Sequence, residues 1–396
     1  MRKHVLITSG IYPTHGIFSL IKYISYSLLS NKKFKKNYSL TILIFKENFL
    51  MKLKKVIFNI FLNLRNFFLN EKMRIHKFSY SAKEFIDENN DLKKYFRYFS
   101  KENDYIKFNP NLVFPLISGV EKKNFLSIGY IYDLQHRDLP KLFSKKEIKM
   151  RTNQFKTILQ KNDSIVVNSK FVKKRILKNF NIKKRKIDVI PFLPFIYDKK
   201  KKINFNIRNK YKIGKNFFIV CNRFWKHKNH EIIFKAFKNF LKYKPNFQLV
   251  CTGDTSDTRF PAYFDNLKKE YYSLIKSGKI RILEIIPRPD QLKLIELSKA
   301  VVQPTLYEGG PGGFSSYEAI SLGKKLILSN ISINREIKSK NITFFSPNSH
   351  EELTQKLLIT SKQYLSKKNW KKHSKINKIK LGNYFLKLIE ETLTSK

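Results

Sequence analysis

Two carboxylates, Glu308 and Glu318, bracket the segment EGGPGGFSSYE, in which the five residues after Glu308 are all Gly or Pro. Gly309, Gly310, Gly312 and Gly313 lack the Cβ that keeps a backbone away from a ligand. An apolar run, 300–302, precedes the turn, and the helical spacing of 314–322 follows it and stops at Gly323. A glycine turn between a strand and a helix can offer backbone N–H groups and the positive end of the helix to an anion. The carboxylates on either side suit hydroxyl groups. A ligand with phosphate in its middle and hydroxyls at both ends, such as a nucleotide-sugar, matches that pattern.

A second turn of the same kind, CNRFWKHKNH, supplies Arg223 and Lys228. Arg can grip a diphosphate in a bidentate fork and Lys acts as a point charge, so the pair could neutralise it without a metal. No resident cofactor is expected. A third polar segment, DLQHRDLP, sets His136 beside Asp133, Arg137 and Asp138 just past a strand end, where open α/β sheets put ligand residues. Gly16 closes an N-terminal loop that also holds Pro13, Thr14 and His15.

These residues need elements to hold them. Apolar runs at 4–9, 39–45, 111–118, 125–131 and 164–168 read as strands, and 17–29, 147–160 and the stretch after Ser169 read as helices. The second half repeats the alternation, with strands at 217–221, 247–251, 280–286, 300–303 and 325–329 and helices at 231–243, 262–276, 290–298 and 314–322. Strict alternation predicts α/β architecture, with two Rossmann-like doubly wound domains of parallel strands facing each other across a cleft. The expected division is residues 1–195, a proline- and lysine-rich linker at 196–212, a second domain at 213–370, and a basic helical tail at 371–396.

The 396 residues carry 80 Lys and Arg against 30 Asp and Glu, a formal charge of +50. The lysines are spread along the whole chain and no nucleic-acid-binding module is recognisable, which argues against a specific nucleic-acid partner. The two cysteines, Cys221 and Cys251, each end an apolar run, so they read as buried strand residues. With no disulfide framework and no signal peptide, a cytoplasmic setting is expected. Residues 49–69 mix Phe, Leu and Ile with Lys52, Lys54, Lys55 and Arg65. The segment is too interrupted to span a membrane but suits either a peripheral contact with anionic lipid or a helix on the first sheet.

NRFWKHKNH and PTLYEGGPGGFSSYEAISLGKKLILSN resemble the donor-binding motifs of the retaining, GT-B-fold glycosyltransferases known as glycosyltransferase group 1 or family 4. DLQHRDLP and IVVNSKFVKKRI are similar to segments of that family's N-terminal domain, and the resemblance is strongest over 125–336. It implies that Arg223 and Lys228 hold the donor diphosphate, Glu308 contacts the donor sugar, and Glu318 binds the ribose. Gly309 to Gly313 would supply N–H groups, His136 would line the sugar site, and Gly16 would lie near the phosphates and acceptor. The family commonly leaves seven residues between its two glutamates, whereas nine intervene here. The implied activity is hexosyl transfer from a nucleotide-diphosphate-sugar to a glycan or glycolipid hydroxyl with retention, in cell-surface polysaccharide or lipopolysaccharide synthesis at the inner face of the membrane. A nucleotide-sugar epimerase or phosphorylase on the same fold is the alternative enzyme, and a non-catalytic polyanion binder is the alternative outside catalysis.

Overall fold

The computed structural model describes residues 2–10, 15–46, 53, 57, 60, 82–119, 124–182, 186–196, 206–363 and 370–395. Most of segment 49–69, the loop between Gly10 and His15, and the middle of the expected linker lie outside them.

Thirteen strands among the described residues form two sheets. The first contains β1 (Lys3–Thr8), β2 (Tyr38–Phe45), β3 (Phe96–Phe99), β4 (Leu112–Leu116), β5 (Leu126–Ile131), β6 (Ser164–Val167) and β7 (Ile187–Val189), in the order β3-β2-β1-β4-β5-β6-β7. The second contains β8 (Phe217–Cys221), β9 (Gln248–Thr252), β10 (Ile280–Ile282), β11 (Ala300–Gln303), β12 (Lys325–Ser329) and β13 (Ile342–Phe345), in the order β10-β9-β8-β11-β12-β13. Every pairing is parallel. A parallel sheet needs helices on both faces, so its strands are apolar throughout. That holds for β8, where Phe217 to Val220 are fully buried, and for β11, where all four residues are.

Both sheets reverse direction of winding at their middle, between β1 and β4 and between β8 and β11. A doubly wound sheet opens a crevice at that switch point, beyond the carboxyl ends of its strands. In the second sheet this places the segment after β8 beside the segment after β11, although they lie about 80 residues apart in sequence.

Some expected boundaries move. The helix expected at 262–276 is two, Tyr263–Glu270 and Tyr272–Lys276. Strands β3 and β13 carry no clear signal in the sequence, and both are edge strands. Within the stretch read as linker, Ile207–Lys210 forms a helical turn that buries Ile207 in the second core, and Lys210 reaches Asp290 at 2.6 Å.

The largest rearrangement is at the C-terminus. The helix Trp370–Thr394 returns to the first domain and lies along the helix His15–Leu28. Leu381, Phe385, Leu386, Leu388 and Ile389 enter the first domain's core, and Phe385 packs against Phe114 with ring centroids 5.8 Å apart. Gly382 lets this helix approach the backbone of Ser27, where a Cβ would collide with the carbonyl. The tail is therefore a structural strap across both domains. Phe385→Ala is expected to cost about 3–5 kcal/mol, lowering the first transition in a urea melt; an unchanged transition would show that the strap contributes nothing.

Candidate active site

The site is built on β8 and β11. After β8 the chain makes a short turn, Lys226–Lys228, with Asn229 in the left-handed region at φ 56°, and then enters the helix His230–Leu241. After β11 it passes Pro304 and Thr305, turns through the glycines, and enters the helix Gly313–Ser321. The two turns are stitched together by backbone: the Leu306 N–H donates to the His227 carbonyl at 2.8 Å. Across this stitch Lys228 Nζ reaches Glu308 Oε1 at 2.5 Å, with both side chains largely buried. Beneath them Asn222, Gln303 and Ser315 form a buried hydrogen-bonded chain at the strand ends.

Arg223 takes a different position. Its guanidinium lies over the Trp225 ring, 5.2 Å from the centroid. Arg259 also lies over Trp225, at 5.5 Å, and over Phe143 of the first domain, at 4.6 Å. Lys228 thus faces the glycine turn directly, whereas Arg223 sits in an aromatic-cation stack at the mouth of the same crevice.

Glu318, nearly buried, pairs with Arg288. Arg288 also donates to Gln291 Oε1 at 2.9 Å, and Gln291 in turn donates to Thr252 Oγ1 at 2.9 Å, at the end of β9. Sequence reasoning missed Arg288. Its signal was the segment PRPDQ, in which it opens the helix Arg288–Leu297 after the loop that follows β10.

The glycine turn serves two purposes. Gly312 and Gly313 both have φ 65°, a conformation that glycine adopts without strain. Their N–H groups are engaged within the protein, Gly312 to Asn334 Oδ1 at 2.9 Å and Gly313 to the Gly310 carbonyl at 3.2 Å. The N–H groups of these two glycines therefore already have partners within the protein. Gly309 and Gly310 instead press against the first domain: a Cβ on Gly309 would run into the Tyr132 carbonyl, and one on Gly310 would crowd Asn168. Around this contact the Leu134 N–H donates to Tyr307 Oη at 2.9 Å, and Ser169 Oγ donates to the Gly309 carbonyl at 3.3 Å. Glu336 accepts from the N–H groups of Lys170 and Phe171 at 2.9 and 2.7 Å, capping the helix Lys170–Asn179 from across the seam.

His136 is not on an exposed polar loop. It lies on the helical turn Gln135–Asp138 with its ring fully buried, edge-on to Phe155 at 5.4 Å and 3.3 Å from Thr152 Oγ1. Burial, with Arg151 and Arg137 nearby, pushes its pKa down to about 4, so the imidazole is neutral at pH 7. Asp133 is paired with Arg151 at 2.5 Å. Gly16 is exposed in the first turn of the helix His15–Leu28. The structure thus joins Lys228, Glu308 and the glycine turn in one cluster, sets Glu318 with Arg288 beside it, and keeps His136 enclosed two residues beyond the Tyr307–Leu134 contact.

Residues 203–376 match a family described as glycosyl transferases group 1. The second domain of the chain belongs to that family. No curated protein matches the sequence. Among solved structures, a sucrose-phosphate synthase from Thermosynechococcus elongatus is similar with a TM-score of 0.62 and 12% identity, covering 100% of both chains. A glycosyltransferase from Rickettsia africae is similar at 0.59 and 18%, again over 100% of both. Anabaena HepE, in complex with UDP and glucose, is similar at 0.61 and 12%, over 100% of both. At such identities the likeness establishes the fold, which is GT-B: two Rossmann-like domains facing each other. The protein is a glycosyltransferase enzyme, and no described helix is long and apolar enough to cross a membrane.

His230 stacks on Phe224 at 3.9 Å with neither ring nitrogen hydrogen-bonded, and burial pushes its pKa down to about 3. An unfolded histidine titrates near 6.5, so the stability this group contributes is full above that pH and is lost as pH falls toward 3. His230→Phe is expected to flatten the acid limb of a curve of unfolding free energy against pH, from urea melts, by up to about 1.4 kcal/mol per pH unit; parallel curves for variant and wild type would refute it. Gly309→Ala is expected to force the seam apart, raising the radius of gyration in solution scattering and cutting turnover at least tenfold. Wild-type scattering together with wild-type turnover would exclude a close approach at Gly309.

Proposed function

We propose that the transferase moves a hexosyl group from a nucleotide-diphosphate-sugar to a hydroxyl of a glycan or glycolipid, with retention of configuration. The observation that carries this reading is the Lys228–Glu308 contact at 2.5 Å. It joins a cation suited to a diphosphate with a carboxylate suited to sugar hydroxyls, at the crevice where a doubly wound sheet takes its ligand. The similar Anabaena structure, solved with UDP and glucose, favours a donor of the same chemical class.

In this reading Lys228 shares its charge between Glu308 and the donor phosphates. Arg223 leaves Trp225, or reaches past it, to grip the diphosphate. As the bond to the leaving diphosphate breaks, negative charge builds on it, and these two cations stabilise that charge more in the transition state than in the ground state. Glu308 orients the sugar through its hydroxyls. Glu318 takes the ribose hydroxyls while Arg288 balances its charge. His136, neutral at pH 7, contributes a hydrogen-bonding imidazole to the sugar wall once the cleft opens around it. The departing diphosphate helps take the proton from the acceptor, so no protein nucleophile is assigned and no metal or other cofactor is invoked.

The most fitting setting is cell-surface polysaccharide or lipopolysaccharide synthesis, in the cytoplasm at the inner face of the membrane, where the +50 charge favours peripheral contact with anionic lipid. Arg223→Ala and Lys228→Ala are each expected to lower nucleotide diphosphate release by about 10²–10³; the melting temperature stays unchanged in Arg223→Ala and falls in Lys228→Ala, which leaves the nearly buried Glu308 without its cation. Near-wild-type release in either variant would overturn the assignment. A thermal-shift screen against UDP-, GDP- and ADP-sugars identifies the donor, since ligand at 100 times its Kd adds about 2.7 kcal/mol of stability.

A further inference from the structure

The crevice mouth carries a row of rings and cations that crosses from one domain to the other. Phe143 ends the turn Pro140–Leu142 in the first domain, just before the helix Lys145–Lys161. Arg259 belongs to the second domain, in the loop that follows β9. Its guanidinium lies over two rings at once, 4.6 Å from the centroid of Phe143 and 5.5 Å from that of Trp225. The backbone around it is tied down. Asp257, buried, accepts from the Lys226 N–H at 3.2 Å through one oxygen and from the Arg259 N–H at 3.0 Å through the other. The Phe224 N–H donates to the Asp254 carbonyl at 2.8 Å. The loop after β9 is thereby fastened to the turn after β8 on both sides of Trp225.

The two arginines on Trp225 are placed differently. Arg259 has Asp257 at 3.8 Å from its Nε as well as two rings, so its charge is already accommodated. Arg223 has the Trp225 ring alone, and among the described residues no carboxylate or other acceptor meets its guanidinium. Arg223 is therefore the one left for an incoming anion. A guanidinium is planar and weakly hydrated and stacks on a ring face, which the compact, strongly hydrated ammonium of lysine does less well. We propose that Arg259 is a positioning residue of the transferase. By stacking on Phe143 and Trp225 it ties the ring on which Arg223 rests to the opposite domain, and so holds Arg223 where the donor diphosphate meets it. Phe143 also lies edge-on to His136, with centroids 6.5 Å apart, so the stack runs from Arg223 in one domain to His136 in the other. This role rests on the reading of Arg223 as a donor ligand.

The test uses the full chain carrying Trp370→Phe, which leaves Trp225 as its one tryptophan. Binding of UDP, GDP and ADP is measured by titration calorimetry, and Trp225 emission is recorded without ligand. Arg259→Ala, and Phe143→Leu, which keeps an apolar side chain but removes the ring, should each shift the emission. Each should also raise the Kd of the nucleotide that binds by about tenfold. The double variant should lose no more than Arg259→Ala alone, because the same contact is removed in each. Arg259→Lys, which keeps the charge, should not recover the affinity. An unchanged Kd in Arg259→Ala, an unchanged emission in both single variants, losses that multiply in the double variant, or full recovery by lysine would each overturn the positioning role and leave the donor reading standing. Binding of none of the nucleotides to the parent chain would instead remove the donor reading, and the positioning role with it.

Discussion

The contact on which this structure turns is the approach of the Gly309 backbone to the carbonyl of Tyr132. No side chain fits between them. Because the two domains meet there, the neighbouring residues fall into defined places: Tyr307 accepts from Leu134, Ser169 reaches the Gly309 carbonyl, and Glu336 caps the helix Lys170–Asn179. Each is a modest polar contact, worth about 0.5–1.5 kcal/mol net, or about 1.5–3 where a carboxylate takes part. Several at one seam still suffice to choose one relative orientation of two domains that each have a core of their own.

That orientation governs the chemistry. Lys228 and Glu308 belong to one domain and are held by its sheet order. From the other domain, His136 lies two residues beyond the Leu134 that meets Tyr307 at the seam. The cation-aromatic stack of Arg223, Trp225, Arg259 and Phe143 spans the mouth of the same crevice. It gives Arg223 a resting place among aromatic rings, where a charge loses less than it would against a bare apolar wall. The paired state of Glu308 and Glu318 has a similar logic. Each nearly buried carboxylate has a cation beside it, since an uncompensated charge there would be strongly destabilising.

The C-terminal helix adds a constraint from a distance. By placing Phe385 and Ile389 in the first domain's core it crosses between the two cores and limits how far they separate. Lys372, Lys375, Lys380 and Lys387 stay exposed on that helix.

By itself the sequence determined the strands, because a doubly covered parallel sheet demands apolar runs such as Phe217–Cys221 and Ala300–Gln303 that few other structures tolerate. It also marked the two turns, since Arg223, Lys228 and the glycine cluster break those runs with residue types that serve little in a core. Edge strands β3 and β13 were not visible in it, because a strand paired on one side needs less apolar pattern. Nor did it reveal the return of the C-terminal helix, the burial of His136, the pairing of Arg288 with Glu318, or the use of Gly309 to seat one domain on the other. Each of these depends on which surfaces meet across long sequence separations, and local spacing carries no information about that. Only the packed tertiary structure decides it, because there the cost of an uncovered apolar face or an unpaired buried charge selects one partner among many.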